Sequence, residues 1–438
     1  MLKKLLMMVL ACALCLMLLA CEDRQQPPDV TSPATWGILE HTPPLHDPRV
    51  IGRFEHDGVT FAVIEPVPPV LEFDYVGPFR DGIARVAVHA NRPQQMSGNF
   101  IDDIHNLFII TANASPSLTP PRKYGFIDST GTLIVPLIYD GAGDFSEGLA
   151  AVANENRWGF IDTTGKVVIP FEYDRDWMAS RPFFSEGLAL VVSNGRRVYI
   201  DKHGNEVFPA VYYGGVHFSE GLAAVFTGGE RDMFGGLVGS KWGFIDQTGS
   251  TVIPLEFDSV REFSEGLAAV EKDGMWGFID RTGSVVIPFE YDWAATFSEG
   301  LVSVGKNGKR GFIDRTGNVV IPFEDDDIAR EFREGLAVVY NNSWHWAEIM
   351  IGYIDKTGNL AIPFERYTRA GSFSGGLAAV ERGWRWGFID TTGRMVVPFE
   401  YDWIPAPQGF DEGLVWVRQD NKWGILQIVS AESVASVQ

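Results

Sequence analysis

Two sets of carboxylates recur along this chain of 438 residues. Glu147, Glu186, Glu220, Glu265, Glu299 and Glu334 each sit in an element that reads FSEG or a close variant. Asp128, Asp162, Asp201, Asp246, Asp280, Asp314, Asp355 and Asp390 each stand three residues before a glycine, mostly as Asp-x-Thr-Gly. Carboxylates in pairs can hydrolyse glycosidic bonds, and in clusters they can hold calcium. A glycosidase, however, needs two carboxyl groups with distinct environments in one cleft. Acids present in nearly every copy of a repeat do not make one special cleft. Aspartate at a turn start accepts hydrogen bonds from nearby backbone amides, and the glutamates read as doing a similar local job. The run Asp325-Asp326-Asp327 lies in neither an EF-hand loop nor a glycine-rich calcium nonapeptide, so no metal is expected. No G-x-S-x-G, P-loop, H-E-x-x-H or dinucleotide fingerprint is present, and the eight histidines are scattered. The chain therefore reads as a protein that is not an enzyme and has no cofactor.

Aromatic residues outside the repeating pattern are better candidates. Trp344, His345 and Trp346 lie in an insertion at a hairpin tip. Trp384 takes the tip position that Gly274 holds in another copy. These tips belong to successive units and are expected to be neighbours on one rim. Exposed tryptophans at loop tips can stack on sugars or anchor a protein partner. The bland alternative is a local hydrophobic cap over the insertion.

The elements that position these residues come from a repeat. WGFID starts at Trp158, Trp242, Trp276 and Trp386, and weaker copies start at Tyr124, Arg197, Arg310, Ile351 and Trp423. A partial copy without the WG element spans Phe73 to Val88. Each unit runs roughly WGFID-x-TG-xVVIPFEYD-xxxx-FSEGLAAV. A repeat of this length marks an array of small units that are stable only when stacked. In the copy from Leu267 to Phe297, LAAVE and MWGFID read as strands joined by a turn at Lys272-Asp273-Gly274. A second turn at Asp280–Gly283 leads to the β-branched strand VVIP, which Pro288 is expected to end. An irregular crossing follows.

The spacings separate rigid from permissive parts. The WG glycine position and the strand proline are eleven residues apart in eight copies, from Gly125 and Pro136 onward, as expected of a turn-fixed register. Three copies carry insertions, between Gly82 and Gly125, Gly221 and Gly243, and Gly335 and Gly352. All three fall at the tip of the first hairpin, so they should decorate one edge of the array. These patterns give an all-β domain of nine to ten three-stranded units. An open superhelical stack is the first expectation, because propellers usually have four to eight blades of four strands. Propeller-like closure is the alternative.

Lys3 and Lys4 precede an apolar run from Leu5 to Leu19, too short to span a bilayer comfortably. The run ends in Leu18-Leu19-Ala20-Cys21, which resembles a bacterial lipoprotein lipobox. That resemblance implies cleavage before Cys21, lipidation of Cys21 and anchoring in the cell envelope, with Glu22 pointing to the outer membrane. Cys12 and Cys15 would leave with the leader, so no cysteine remains for disulfides, catalysis or metal. Residues 21–35 are polar and proline-rich and read as a tether of at most about 50 Å. The repeat domain is placed at 36–426, with an insertion at about 90–121 and a tail at 427–438. The formal net charge of −21 argues against binding nucleic acid.

The ordered elements WGFID, TG, VIP, EYD and FSEGLA resemble the WG-repeat family, also called KWG repeats, over roughly Phe73 to Leu426. Val198 departs from the pattern at the glycine, and Arg310 and Ile351 depart from it at the tryptophan. The family implies a β-rich scaffold without common catalytic chemistry. The expected function is a lipid-anchored envelope module that binds a protein or glycan. The alternatives are a structural spacer or assembly factor, and an envelope glycan hydrolase.

Overall fold

A computed structural model describes residues 49–89, 122–175, 181–209, 214–228, 230–231, 237–324, 331–340, 350–404, 410–431 and 433. The strands form nine antiparallel sheets in sequence around a ring, a nine-bladed β-propeller. Blades 1 to 8 occupy 75–139, 141–174, 184–209, 214–257, 259–291, 293–324, 336–365 and 369–401. Blade 9 joins the two ends of the chain. Its second and third strands are Leu414–Gln419 and Lys422–Ser430, and its fourth is Val59–Leu71, with Arg49–His56 added outside. The open-stack expectation thus gives way to closure. The final WG copy supplies a third strand, paired with Leu414–Gln419, and the N-terminal strand Val59–Leu71 adds the fourth. Trp423 pairs with Leu71 and Ile425 with Val67. The strand continues past Leu426 to Ser430, opposite Phe61.

Eight blades form four-stranded sheets where the sequence pattern showed three strands per unit. In blades 2, 5, 6 and 8 the added one is a two-residue strand in the crossing that looked irregular, such as Ser259–Val260 or Trp293–Ala294. Blade 7 has three among the described residues. Repeat and blade are offset: a WG unit supplies the third and fourth strands of one blade and the first two of the next. The partial copy from Phe73 to Val88 is therefore the first half of blade 1, completed by Arg122–Asp128 and Leu133–Tyr139.

The strand proline does not end its strand. In blade 5, Ile287 pairs with Phe278 and Tyr291 with Trp276, so three residues of the fourth strand oppose Gly277 alone. Pro288 sits in this bulge, where no ladder donor is required. The bulge also explains the WG glycine. A Cβ on Gly277 would lie 2.8 Å from the Ile287 carbonyl oxygen, and one on Gly311 would lie 2.8 Å from that of Ile321. The close approach comes from the same blade rather than an adjacent one. Blade 3 has Val198 at this position, and there the bulge is absent: Val198 pairs with Pro209 and Tyr199 with Phe208.

Burial follows strand order. Second and third strands such as Leu267–Lys272 and Met275–Asp280 are largely buried, whereas the fourth alternates and leaves Val285 and Val286 exposed. Aromatic pairs join the blades. Phe244 meets Phe263, Phe278 meets Phe297 and Phe312 meets Phe332 across successive seams, at centroid distances of 4.8, 5.1 and 5.0 Å and steep angles. Each such pair contributes about 1 kcal/mol beyond its buried area. At the closing seam Trp416 stacks on Phe79 at 5.3 Å and donates from Nε1 to the Gly77 carbonyl.

Candidate functional site

Antiparallel blades place their loops on two faces. The turns between first and second strands, and between third and fourth, share one face. The hairpin tips between second and third strands share the other.

The first face carries the recurring acids, and they are architectural. Each turn aspartate works locally: Asp280 Oδ1 accepts from the backbone amides of Thr282 and Ser284 and from the Thr282 hydroxyl. The hydroxyl is the main influence holding the Asp280 carboxyl below its ordinary range. The glutamates do something else. Glu265 accepts from the amide of Gly300 in the next blade at 2.9 Å, and Glu299 from Gly335 at 2.9 Å. The repeated glutamate is thus a clasp between blades, not a local cap as its sequence context implied. Its glycine adopts positive φ, 84° at Gly300, which aims the amide back at the preceding blade. Burial raises the Glu147 carboxyl, but Lys202 and the Gly187 amide outweigh that and leave it lowered. Among the described residues no group of three or more His, Cys, Asp or Glu side chains is placed to hold a metal.

The second face varies between blades. All three insertions join a second strand to a third: His89 to Arg122 in blade 1, Phe226 to Trp242 in blade 4, and Tyr340 to Ile351 in blade 7. The strand ends that flank them therefore share one face. The blade 4 insertion forms its own small hairpin, with Glu230 opposite Val238.

Trp384 stands on this face at the blade 8 tip, between Leu377–Arg382 and Arg385–Asp390. It is 79% exposed, whereas Trp386 two residues on is 2% exposed. Its φ is +64°, a region that a bulky side chain rarely enters. The equivalent tips hold Asp273-Gly274, Asn307-Gly308 and Glu155-Asn156, all at positive φ. A type I′ turn explains the backbone but not the choice of tryptophan. Trp344, His345 and Trp346 lie outside the described residues, as do Cys21 and Asp325 to Asp327.

Sequence reasoning missed the residues at the seams of blades 2 to 5. His217 is one of the eight scattered histidines, yet its Nε2 lies 2.8 Å from Glu262 Oε2 and its ring packs on Phe183 at 4.7 Å. This contact is the main cause of the lowered Glu262 carboxyl. The one available signal was the long crossing before Phe184, which brings Arg181 and Phe183 to this seam.

The WG containing repeat family matches nine segments: 69–89, 124–158, 158–196, 199–230, 242–276, 276–309, 311–343, 351–383 and 386–423. No curated protein matches the chain. Among solved structures, a eukaryotic initiation factor is similar with a TM-score of 0.50 at 12% identity, over 78% of this chain and 94% of that one. BamB from Moraxella catarrhalis gives 0.34 at 10% identity, over 87% and 99%. AztD from Citrobacter koseri gives 0.36 at 12% identity, over 70% and 95%. At these identities the likeness extends to fold alone. The matched segments cover more than half of the sequence, and the chain belongs to the WG containing repeat family.

Proposed function

We propose that this protein is a non-catalytic binding module, held to the bacterial cell envelope by lipid on Cys21, whose hairpin-tip face recognises a protein or glycan. The observation that carries the reading is Trp384, an exposed indole on a backbone conformation that disfavours it. A strained, exposed aromatic is costly to keep for packing alone, and tryptophan is among the residues that dominate binding surfaces. The insertions on the same face support the reading, because loops on a rigid scaffold are the usual carriers of recognition. Among the described residues the recurring carboxylates are engaged in turns and clasps, which favours binding over hydrolysis. The test is affinity capture from solubilised envelope with the mature chain as bait. A species retained by the native protein and lost with Trp344→Ala, Trp346→Ala and Trp384→Ala combined supports recognition on this face. Equal retention by the folded triple variant overturns it.

A further inference from the structure

Blade 6 departs from the repeat at two neighbouring positions. Arg310 stands where WG units have tryptophan, and Gly305 stands where blades 5 and 8 have Glu271 and Glu381. In the ladder Gly305 pairs with Trp293 on one side and with Arg310 on the other. With no side chain at Gly305 between them, Arg310 crosses to Trp293, and its guanidinium lies over the indole at 4.6 Å. Arg261, just past the first strand of blade 5, lies over the same ring at 5.7 Å and over Trp276 at 5.2 Å. Its Nε donates to the Ala294 carbonyl at 2.7 Å, which fixes it at the seam. Two cations are thus gathered at one indole. At the position of Arg310, Trp276, Trp386 and Ile351 of other blades are buried, whereas Arg310 stays partly exposed.

Both arginines line a cavity of about 440 Å³, whose other walls are Trp293, Ala295, Thr296 and Glu331. Among the described residues neither arginine has a carboxylate partner. Glu324 stands opposite Arg310 in the ladder but forms no ion pair with it. Glu331, the acid on the cavity wall, is held by Arg333 at 3.0 Å. Two positive charges therefore remain side by side, in a chain of net charge −21. Like charges this close repel, and an anion that bridges them removes the repulsion. The charge count favours one kind of anion. A carboxylate carries one charge and two oxygens, and a single guanidinium fork satisfies it. A phosphate group carries about −1.5 to −2 at pH 7 and three acceptor oxygens, which matches two arginines. The volume suits a small ligand. Gly305 lies just before the Asn307-Gly308 turn, which puts the cavity at the tip end of the blade.

We infer that the cavity at Arg261 and Arg310 is a binding site for a phosphate group, free or as a monoester. It is separate from Trp384, which stands two blades away, so either site can fail without the other. The test is isothermal titration calorimetry of the purified protein at low salt, with inorganic phosphate, glycerol phosphate and, as a carboxylate of similar charge, succinate. One saturable site is expected for phosphate, with succinate bound at least about tenfold more weakly. Tighter binding of inorganic phosphate marks the free anion as the ligand, and tighter binding of glycerol phosphate marks a headgroup-like monoester; either supports the site. Arg310→Gln should weaken phosphate binding at least about tenfold, while Arg315→Gln on the opposite face leaves it unchanged. Arg310→Trp restores the family residue, fills the cavity and should abolish binding, which covers a glutamine variant that fails to fold. No saturable binding of phosphate, or binding that survives both Arg310 variants, overturns the inference. Succinate bound as tightly as glycerol phosphate assigns the cavity to carboxylates and overturns the phosphate reading.

Discussion

Glu412, in the first turn of the last blade, accepts a 2.8 Å hydrogen bond from the amide of Gly82, 330 residues earlier in the chain. The same carboxylate accepts from the Asp81 amide at 3.0 Å, and Arg80 pairs with Asp411 beside it at 2.9 Å. The repeated glutamate clasp therefore also closes the ring. Asp81 continues the chain of clasps by accepting from Gly148, and Glu147, Glu186, Glu220, Glu265, Glu299 and Glu334 carry it around to Gly376. Blade 8 has Gly375 where the carboxylate would stand. A Cβ there would lie 2.9 Å from Ile428 Cδ1, so the last strand of the closure occupies that space.

Removing Glu412 should loosen closure specifically. A hydrogen bond to a charged group contributes about 1.5–3 kcal/mol when buried, and partial exposure here reduces that to about 1 kcal/mol. Glu412→Ala is expected to lower the urea midpoint and speed amide exchange in Val59–Leu71. Glu265→Ala should lower the midpoint similarly and leave that exchange unchanged. Equal exchange in the two variants would show that Glu412 has no particular role in closure.

The WG glycine makes a sharper prediction. Gly311→Ala places a methyl 2.8 Å from the Ile321 carbonyl oxygen, where only backbone movement relieves it. Overpacking of this kind costs about 1–3 kcal/mol. Alanine at Val198, where the bulge is absent, removes methyls instead and should cost about 1 kcal/mol without disturbing the ladder. Chemical denaturation of the two variants checks the order.

Acid should weaken the fold through the turn aspartates. The Thr316 hydroxyl, aided by the amides of Asn318 and Thr316, holds the Asp314 carboxyl down at about 2 against an opposing effect of burial. A carboxyl lowered on folding adds stability that is present above its ordinary value, 3.8 for this group. That stability is lost as pH falls from about 4 to about 2. The denaturation midpoint of the native protein should therefore drop through this window. Asp314→Asn should start lower at pH 7 and decline less steeply. An unchanged slope in the variant would remove Asp314 as a contributor.

Much of this architecture was legible because the repeat states it nine times. The fixed spacing between Gly277 and Pro288 announced one rigid hairpin, and the three insertions announced one decorated face. What remained hidden depends on contacts between distant segments. Ser259–Val260 is too short to show a strand pattern and pairs only because Glu271 and Val270 lie opposite. Closure rests on Val59–Leu71, whose Val-Pro-Pro-Val sequence hardly resembles the other fourth strands, yet Val67 takes the place of Ile287. Glu265 looked local because its partner, Gly300, is 35 residues away. Trp384 was legible as an oddity, since tryptophan rarely stands where neighbouring copies have glycine or asparagine.

That oddity can be weighed in free energy. Left-handed backbone costs a bulky residue about 1–2 kcal/mol relative to one that tolerates it, and asparagine tolerates it, as Asn156 and Asn421 do at the same position in blades 2 and 9. Trp384 is 79% exposed, so its replacement gives up little burial. Trp384→Asn is therefore expected to raise the denaturation midpoint by an amount equivalent to about 1 kcal/mol while weakening capture of the proposed envelope partner. Opposite signs for stability and binding are the signature of a residue kept for recognition. A variant that is both less stable and unimpaired in capture would instead make Trp384 a packing residue and remove the main support for a binding site on the tip face.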